Sequence, residues 1–98
     1  MRNRGACFWA WTDTRLQTRT HDEQLDDGTE IDVQVRISRT GGIQMFLGVY
    51  QQEGKVLAEE VYENLPGQTV ARALVYGTKR ARAIAMGHEL PKKTAGSA

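Results

Sequence analysis

The stretch Glu30-Ile31-Asp32-Val33-Gln34-Val35-Arg36-Ile37-Ser38-Arg39 decides the fold. Ile31, Val33, Val35 and Ile37 alternate without a break with Asp32, Gln34, Arg36 and Ser38. A period of two with β-branched residues on one side marks a half-buried strand. Thr40-Gly41-Gly42 follows as a turn, because glycine takes the positive φ that a tight hairpin requires. Ile43 to Gln51 reads as a second strand, with Ile43, Met45, Leu47 and Val49 on one face and Gln44, Phe46, Gly48 and Tyr50 on the other. Gln52-Glu53-Gly54 is a second turn. Lys55 to Glu63 is a third strand, with Val56, Ala58, Glu60 and Tyr62 set against Leu57, Glu59, Val61 and Glu63. Turns this short force antiparallel neighbours, so the expectation is a three-stranded meander.

Downstream, Asn64-Leu65-Pro66-Gly67 breaks the strand and opens a helix. Pro66 can occupy the first helical position, and Thr69 is the alternative start as N-cap. From Val70 to about Met86 the period lengthens, and Val70, Leu74, Gly77, Ala81, Ile84 and Ala85 fall on one stripe flanked by Ala73. Gly87 suits a C-cap, and Pro91 prevents continuation. The expected core is Ile31, Val33, Val35, Ile37, Val70, Leu74, Ala81 and Ile84, under a single helix from about 66 to 87.

Upstream, Phe8-Trp9-Ala10-Trp11 concentrates both tryptophans, and residues 12–29 are polar and close on Asp26-Asp27-Gly28-Thr29. The polar stretch reads as a linker or extended arm. The fold class is therefore α+β: a β-β-β-α meander with one C-terminal helix packed on one sheet face, plus an N-terminal aromatic segment. The chain divides into an arm (1–29), a β-β-β-α domain (30–88) and a flexible tail (89–98). In layout alone, residues 30–87 are similar to the arm-binding domains of tyrosine recombinases and to the last four elements of double-stranded-RNA-binding domains. The residues depart from both patterns. Asp32 and a strand-three glutamate would repel phosphate on the open face, and Pro66-Gly67-Gln68-Thr69 lacks the basic cluster that opens the RNA-binding helix.

Composition fits one ordinary domain: 98 residues, 40% hydrophobic and 26% charged. No apolar run approaches the ~20 residues of a membrane span. Met1-Arg2-Asn3-Arg4 before the aromatic stretch faintly resembles an export signal, but charge returns at Asp13 and Arg15, so the expected compartment is cytoplasmic. One cysteine fits a reducing compartment. The net charge of +1 hides a basic–acidic–basic order. Residues 1–20 carry four arginines and one aspartate, 21–63 three basic and ten acidic side chains, and 64–98 six basic and one acidic.

No phosphate-binding, metalloprotease or nucleophile-elbow motif occurs, and Cys7, His21 and His88 are too far apart for a zinc module. His88 reads as a partly buried or capping histidine, and Cys7 as a small hydrophobe. The acidic residues Asp22, Glu23, Asp26, Asp27, Glu30 and Asp32 lack the spacing of a calcium loop and read as solvated charge, and Glu59 and Glu60 point to opposite faces of one strand. No catalytic site, metal or cofactor is expected. Two surfaces remain. One is the sheet face not covered by the helix, where Phe46 and Tyr50 together with Phe8, Trp9 and Trp11 suggest a protein interface or a homodimer. The other is the helix face carrying Arg72, Lys79, Arg80 and Arg82, which suggests a nucleic-acid contact or a balance for the acidic sheet.

The two-face arithmetic generates a test. Deleting residues 1–11 should lower the melting temperature, change the mass in solution, or both, because something must cover Phe46 and Tyr50; calorimetry and light scattering check this.

Overall fold

The computed structural model describes residues 4–13 and 15–87; the expectations for His88 and the 89–98 tail lie outside the described residues. The elements in chain order are α1 (Ala6–Trp11), β1 (Thr18–Gln24), β2 (Glu30–Ile37), β3 (Ile43–Tyr50), β4 (Val56–Tyr62) and α2 (Val70–Ala85). The strands form one antiparallel sheet in the order β1-β2-β3-β4.

The α+β class, the meander of β2, β3 and β4 and the C-terminal helix follow the alternation. The sheet nevertheless has four strands, not three. The added strand, β1, lies inside the polar stretch 12–29, and pairs along its length with β2 from Thr18 opposite Arg36 to Gln24 opposite Glu30. It carries no apolar alternation because it is an edge strand with largely exposed side chains. Main-chain pairing holds it there.

All three hairpins use one turn design. Gly28 donates its N–H to Leu25 O, Gly41 to Ser38 O and Gly54 to Gln51 O, while the flanking pairs Leu25–Thr29, Ser38–Gly42 and Gln51–Lys55 close each loop. Those three glycines have φ of 88°, 91° and 92°, the left-handed conformation of a three-residue hairpin loop. Sequence and geometry thus agree that Asp26-Asp27-Gly28 is a turn; it is a hairpin, and a hairpin requires a strand on its other side.

α2 starts at Val70, with Thr69 as N-cap accepting from Arg72 N at 3.1 Å. Pro66 instead shapes a turn before the helix, where Gly67 has φ 75° and Gln68 N–H bonds Leu65 O. Gly87, with φ 78°, closes the C-terminal end by donating to Ile84 O. One layer of core lies between α2 and the sheet: Ile31, Val33, Val35, Met45, Leu47, Val49, Ala58, Ala73, Ala81 and Ile84, with Val70 and Leu74 packed at its rim. Ile37 is a correction, since it is 52% exposed at the hairpin end of β2, beyond the helix's cover. At Gly77 the helix lies close on the sheet, and a Cβ there would stand 2.5 Å from Met45 Sδ and 2.6 Å from Val33 Cγ1. No described helix is long and apolar enough to cross a membrane.

Gly77→Val should therefore destabilise the fold by about 1–3 kcal/mol through overpacking. The exposed control Ala71→Val should cost no more than the helix-propensity difference, roughly 0.7 kcal/mol. Urea unfolding of the two variants makes the comparison.

Candidate interaction surfaces

The sheet face away from α2 is covered by α1 and the two residues before it. Phe8 meets Phe46 edge-on at 5.3 Å between ring centroids, and Trp11 meets it at 5.7 Å. Phe46 and Tyr50 are fully buried, and Trp11 nearly so. Four of the five aromatics singled out in the sequence therefore converge on one side of the sheet. The fifth, Trp9, is 64% exposed.

A six-residue helix has too few internal bonds to persist alone, so its anchors matter. Glu59, buried on β4, supplies the main one. Its Oε2 accepts from Gly5 N at 2.9 Å and from the Tyr50 hydroxyl at 2.7 Å, and its Oε1 accepts from Phe8 N at 3.3 Å. A carboxylate thus answers N–H groups at the helix start that no local side chain caps. Gly5 permits this, because a Cβ there would fall 2.5 Å from Glu59 Oε1. Gly48 serves the same network: its missing side chain leaves the space in which the Tyr50 ring lies, with ring carbons 2.7 Å from where a Cβ would stand. Arg4 adds an ion pair with the buried Asp32 carboxylate, donates to Tyr50 Oη at 3.3 Å and lies over the Phe8 ring at 4.2 Å. At the other end of α1, Arg36 donates to Trp11 O and stacks on the Trp11 ring at 3.8 Å.

Asp32 thus corrects the expectation of solvated acids; Glu59 and Glu60 point to opposite faces of β4 as the alternation requires, and both are buried, Glu60 at 2% exposure on the α2 side. Glu60 receives Arg80 through two bonds, Nε at 2.7 Å and Nη2 at 2.9 Å, and also accepts from the Tyr62 hydroxyl at 2.7 Å. On β1, Glu23 receives Arg82, with Nη2 at 2.6 Å, and lies 2.9 Å from His21 Nε2. Both partners hold the Glu23 carboxyl below its ordinary range, Arg82 foremost. Arg80 and Arg82 therefore tie α2 to the sheet's two edge strands, β4 and β1. Of the four cations read as a binding face, Arg72 and Lys79 remain exposed without a carboxylate in ion-pair range among the described residues.

Between and beside those two cations the outer side of α2 is apolar. Val75 is 56% exposed, Tyr76 47% and Met86 58%, and Tyr76 meets Tyr62 edge-on at 6.2 Å. Past the C-terminal end of the helix, Ala85 and Met86 face Glu23, Gln24, Leu25, Asp26 and Asp27 across an open cleft of about 430 Å³. Among the described residues no three His, Cys, Asp or Glu side chains converge as a metal-binding set. Cys7 is half-buried in α1.

Comparison with known protein families, with curated proteins and with solved structures finds no match to this chain.

Burial first, and then the bond to Glu59, raise the Tyr50 phenol well above its ordinary 10.0, against the opposing pull of Arg4. A phenol whose folded pKa is raised contributes stability that is fully present below pH ~10 and is lost as pH rises beyond it. Tyr62 is raised the same way, by burial and Glu60. Unfolding free energy should accordingly fall as pH climbs above about 10, and Tyr50→Phe should flatten that decline. At pH 8 the same variant should cost about 1.5–3 kcal/mol, the worth of a hydrogen bond to a charged group. Denaturant titrations at several pH values check both outcomes.

Proposed function

We propose that this chain is a small non-catalytic interaction module whose contact surface is the outer face of α2, and whose partner is a protein. The observation that carries the reading is the exposed apolar row Val75, Tyr76 and Met86, interspersed with the uncompensated cations Arg72 and Lys79. The opposite side of the same helix is already committed to the core through Ala73, Gly77, Ala81 and Ile84. An apolar row with flanking charge is the composition of a protein contact, in which burial supplies affinity and charge supplies orientation. The far sheet face, with Phe46 and Tyr50, offers less, because α1 fills it; Trp9 is its one strongly exposed aromatic.

A nucleic-acid contact is the second reading, and Arg72 and Lys79 favour it. It is the weaker one. Arg80 and Arg82 are engaged with Glu60 and Glu23, so two cations are left, seven residues or about 10.5 Å apart along the helix. The acidic turn Asp26-Asp27 lies at the end of the same row.

The test is a photo-crosslinking amino acid placed at position 76 in cells that express the protein, with position 53 on the exposed β3–β4 turn as control. A discrete crosslinked protein at 76, missing at 53 and lost with Arg72→Glu, is the expected result. Equal labelling at both positions overturns the reading. If instead a short duplex binds the purified chain with a strong salt dependence that Arg72→Glu weakens, the nucleic-acid reading replaces it.

A further inference from the structure

We propose that the occupant of the α2 face is a second copy of this chain, packed antiparallel, with Arg72 of each copy seated in the acidic cleft at the far end of the other's helix. The inference rests on the α2 reading above and adds the partner's identity.

The charges carry it. Arg72 stands in the first turn of α2, and Asp26 and Asp27 stand beyond its last turn, across the cleft from Ala85 and Met86. Among the described residues neither aspartate has a cation in ion-pair range. Asp27 is held ionised by the Thr29 backbone N–H it accepts from, at 2.9 Å. One end of the exposed row is therefore cationic and the other anionic, and neither charge is neutralised within the described chain. The two ends are 14 residues apart, about 21 Å along the helix.

A two-fold axis turns such a row into its own complement. When two copies of α2 lie antiparallel, the cationic end of each lies against the anionic end of the other, and symmetry forms both junctions together. With the axis beside the Lys79–Ala83 turn, each Lys79 faces the second copy's Ala83 instead of its Lys79, and each Arg72 lies about one helical turn past the second copy's Met86, from where its long side chain reaches back to the cleft. Tyr76 then faces Met86 of the other copy, a sulfur–aromatic contact that buries both exposed side chains. The antiparallel arrangement also sets each helix N-terminus beside the other's C-terminus, which the helix dipoles favour. A phosphate backbone would gain from Arg72 but meet repulsion at Asp26 and Asp27. A second copy gains at both ends.

The test uses the purified full chain and charge exchange. Sedimentation velocity at micromolar concentrations should give twice the 11.0 kDa chain mass. Arg72→Glu should weaken the dimer by about tenfold or more, since it places like charges at both junctions. Asp26→Lys combined with Asp27→Asn should do the same, the asparagine retaining the acceptor that bonds Thr29. An equimolar mixture of the two variants should restore the dimer as a heterodimer, because every junction again pairs opposite charges, and circular dichroism should show both variants folded. A wild-type chain that stays at single-chain mass at 100 µM overturns self-pairing; crosslinking at position 76 to a different protein would then leave the α2 reading standing. A dimer indifferent to both charge changes but lost with Tyr76→Glu keeps the face and overturns the antiparallel charge match. A dimer indifferent to all three overturns both readings.

Discussion

The Glu59 carboxylate is the constraint on which the two-sided structure depends. A meander has two faces, and this chain supplies one long helix for them. The second cover is α1, which is six residues long and contains Phe8 and Trp11 but no acidic residue to cap its own start. Without an external anchor such a segment would fray, because a helix this short does not recover its nucleation cost. Glu59 supplies that anchor from β4, at the Gly5 and Phe8 N–H groups, and accepts from the Tyr50 hydroxyl with the oxygen that holds Gly5. The carboxylate that fixes α1 is therefore also the acceptor that a buried phenol donates to. Gly5 and Gly48 are part of the same device, because each leaves open the space that this carboxylate or this ring occupies.

On the other face the carboxylates act as position markers. Glu60 and Glu23 lie on opposite edge strands, and each takes an arginine from α2 in a two-nitrogen grip. The helix stripe is small and smooth, with Ala73, Gly77 and Ala81 at its centre. Small residues permit close approach but do little to prevent sliding or rolling. Arg80 and Arg82, separated by about 200° around the helix, reach opposite sides of the sheet and oppose both motions. The pair to Glu60 is buried, so breaking it leaves an uncompensated charge, whereas the pair to Glu23 is more exposed and contributes orientation more than stability.

This division explains what could and could not be read from the sequence. β2, β3, β4 and α2 were legible because their apolar periods are local. The need for a cover over Phe46 was legible because both faces of β3 are apolar. β1 was not, since an edge strand made of Thr18, Arg19, Thr20, His21, Asp22, Glu23 and Gln24 has no apolar face to alternate. Its one signal was the Asp-Gly turn, which matches the two turns that follow it in placing a glycine last in a three-residue loop. The long-range polar contacts were least legible of all. Arg4 and Asp32 are 28 residues apart, Gly5 and Glu59 are 54, Arg80 and Glu60 are 20, and Arg82 and Glu23 are 59. No local pattern encodes a partner at such a distance. A carboxylate in mid-strand between apolar neighbours is the only trace it leaves, and Glu59 and Glu60 show it on both faces at once.

The outer side of α2 is the part of the helix that folding does not account for. Valine and tyrosine are poorer helix formers than alanine, lysine or glutamate, by up to about 0.7 kcal/mol per residue. On a solvated face no packing compensates that cost, yet Val75 and Tyr76 stand there together, with Met86 beyond them. The same helix commits Val70, Ala73, Leu74, Ala81, Ile84 and Ala85 to the core and two of its four cations to the sheet. A sequence shaped by stability alone would place glutamate or lysine at 75 and 76, and an acid near Arg72 or Lys79 to balance them. Instead the acids beside its far end that pair with no described cation, Asp26 and Asp27, stand on a different element. Charges of opposite sign that the described residues leave unpaired at the two ends of one row are neutralised most directly between two such rows.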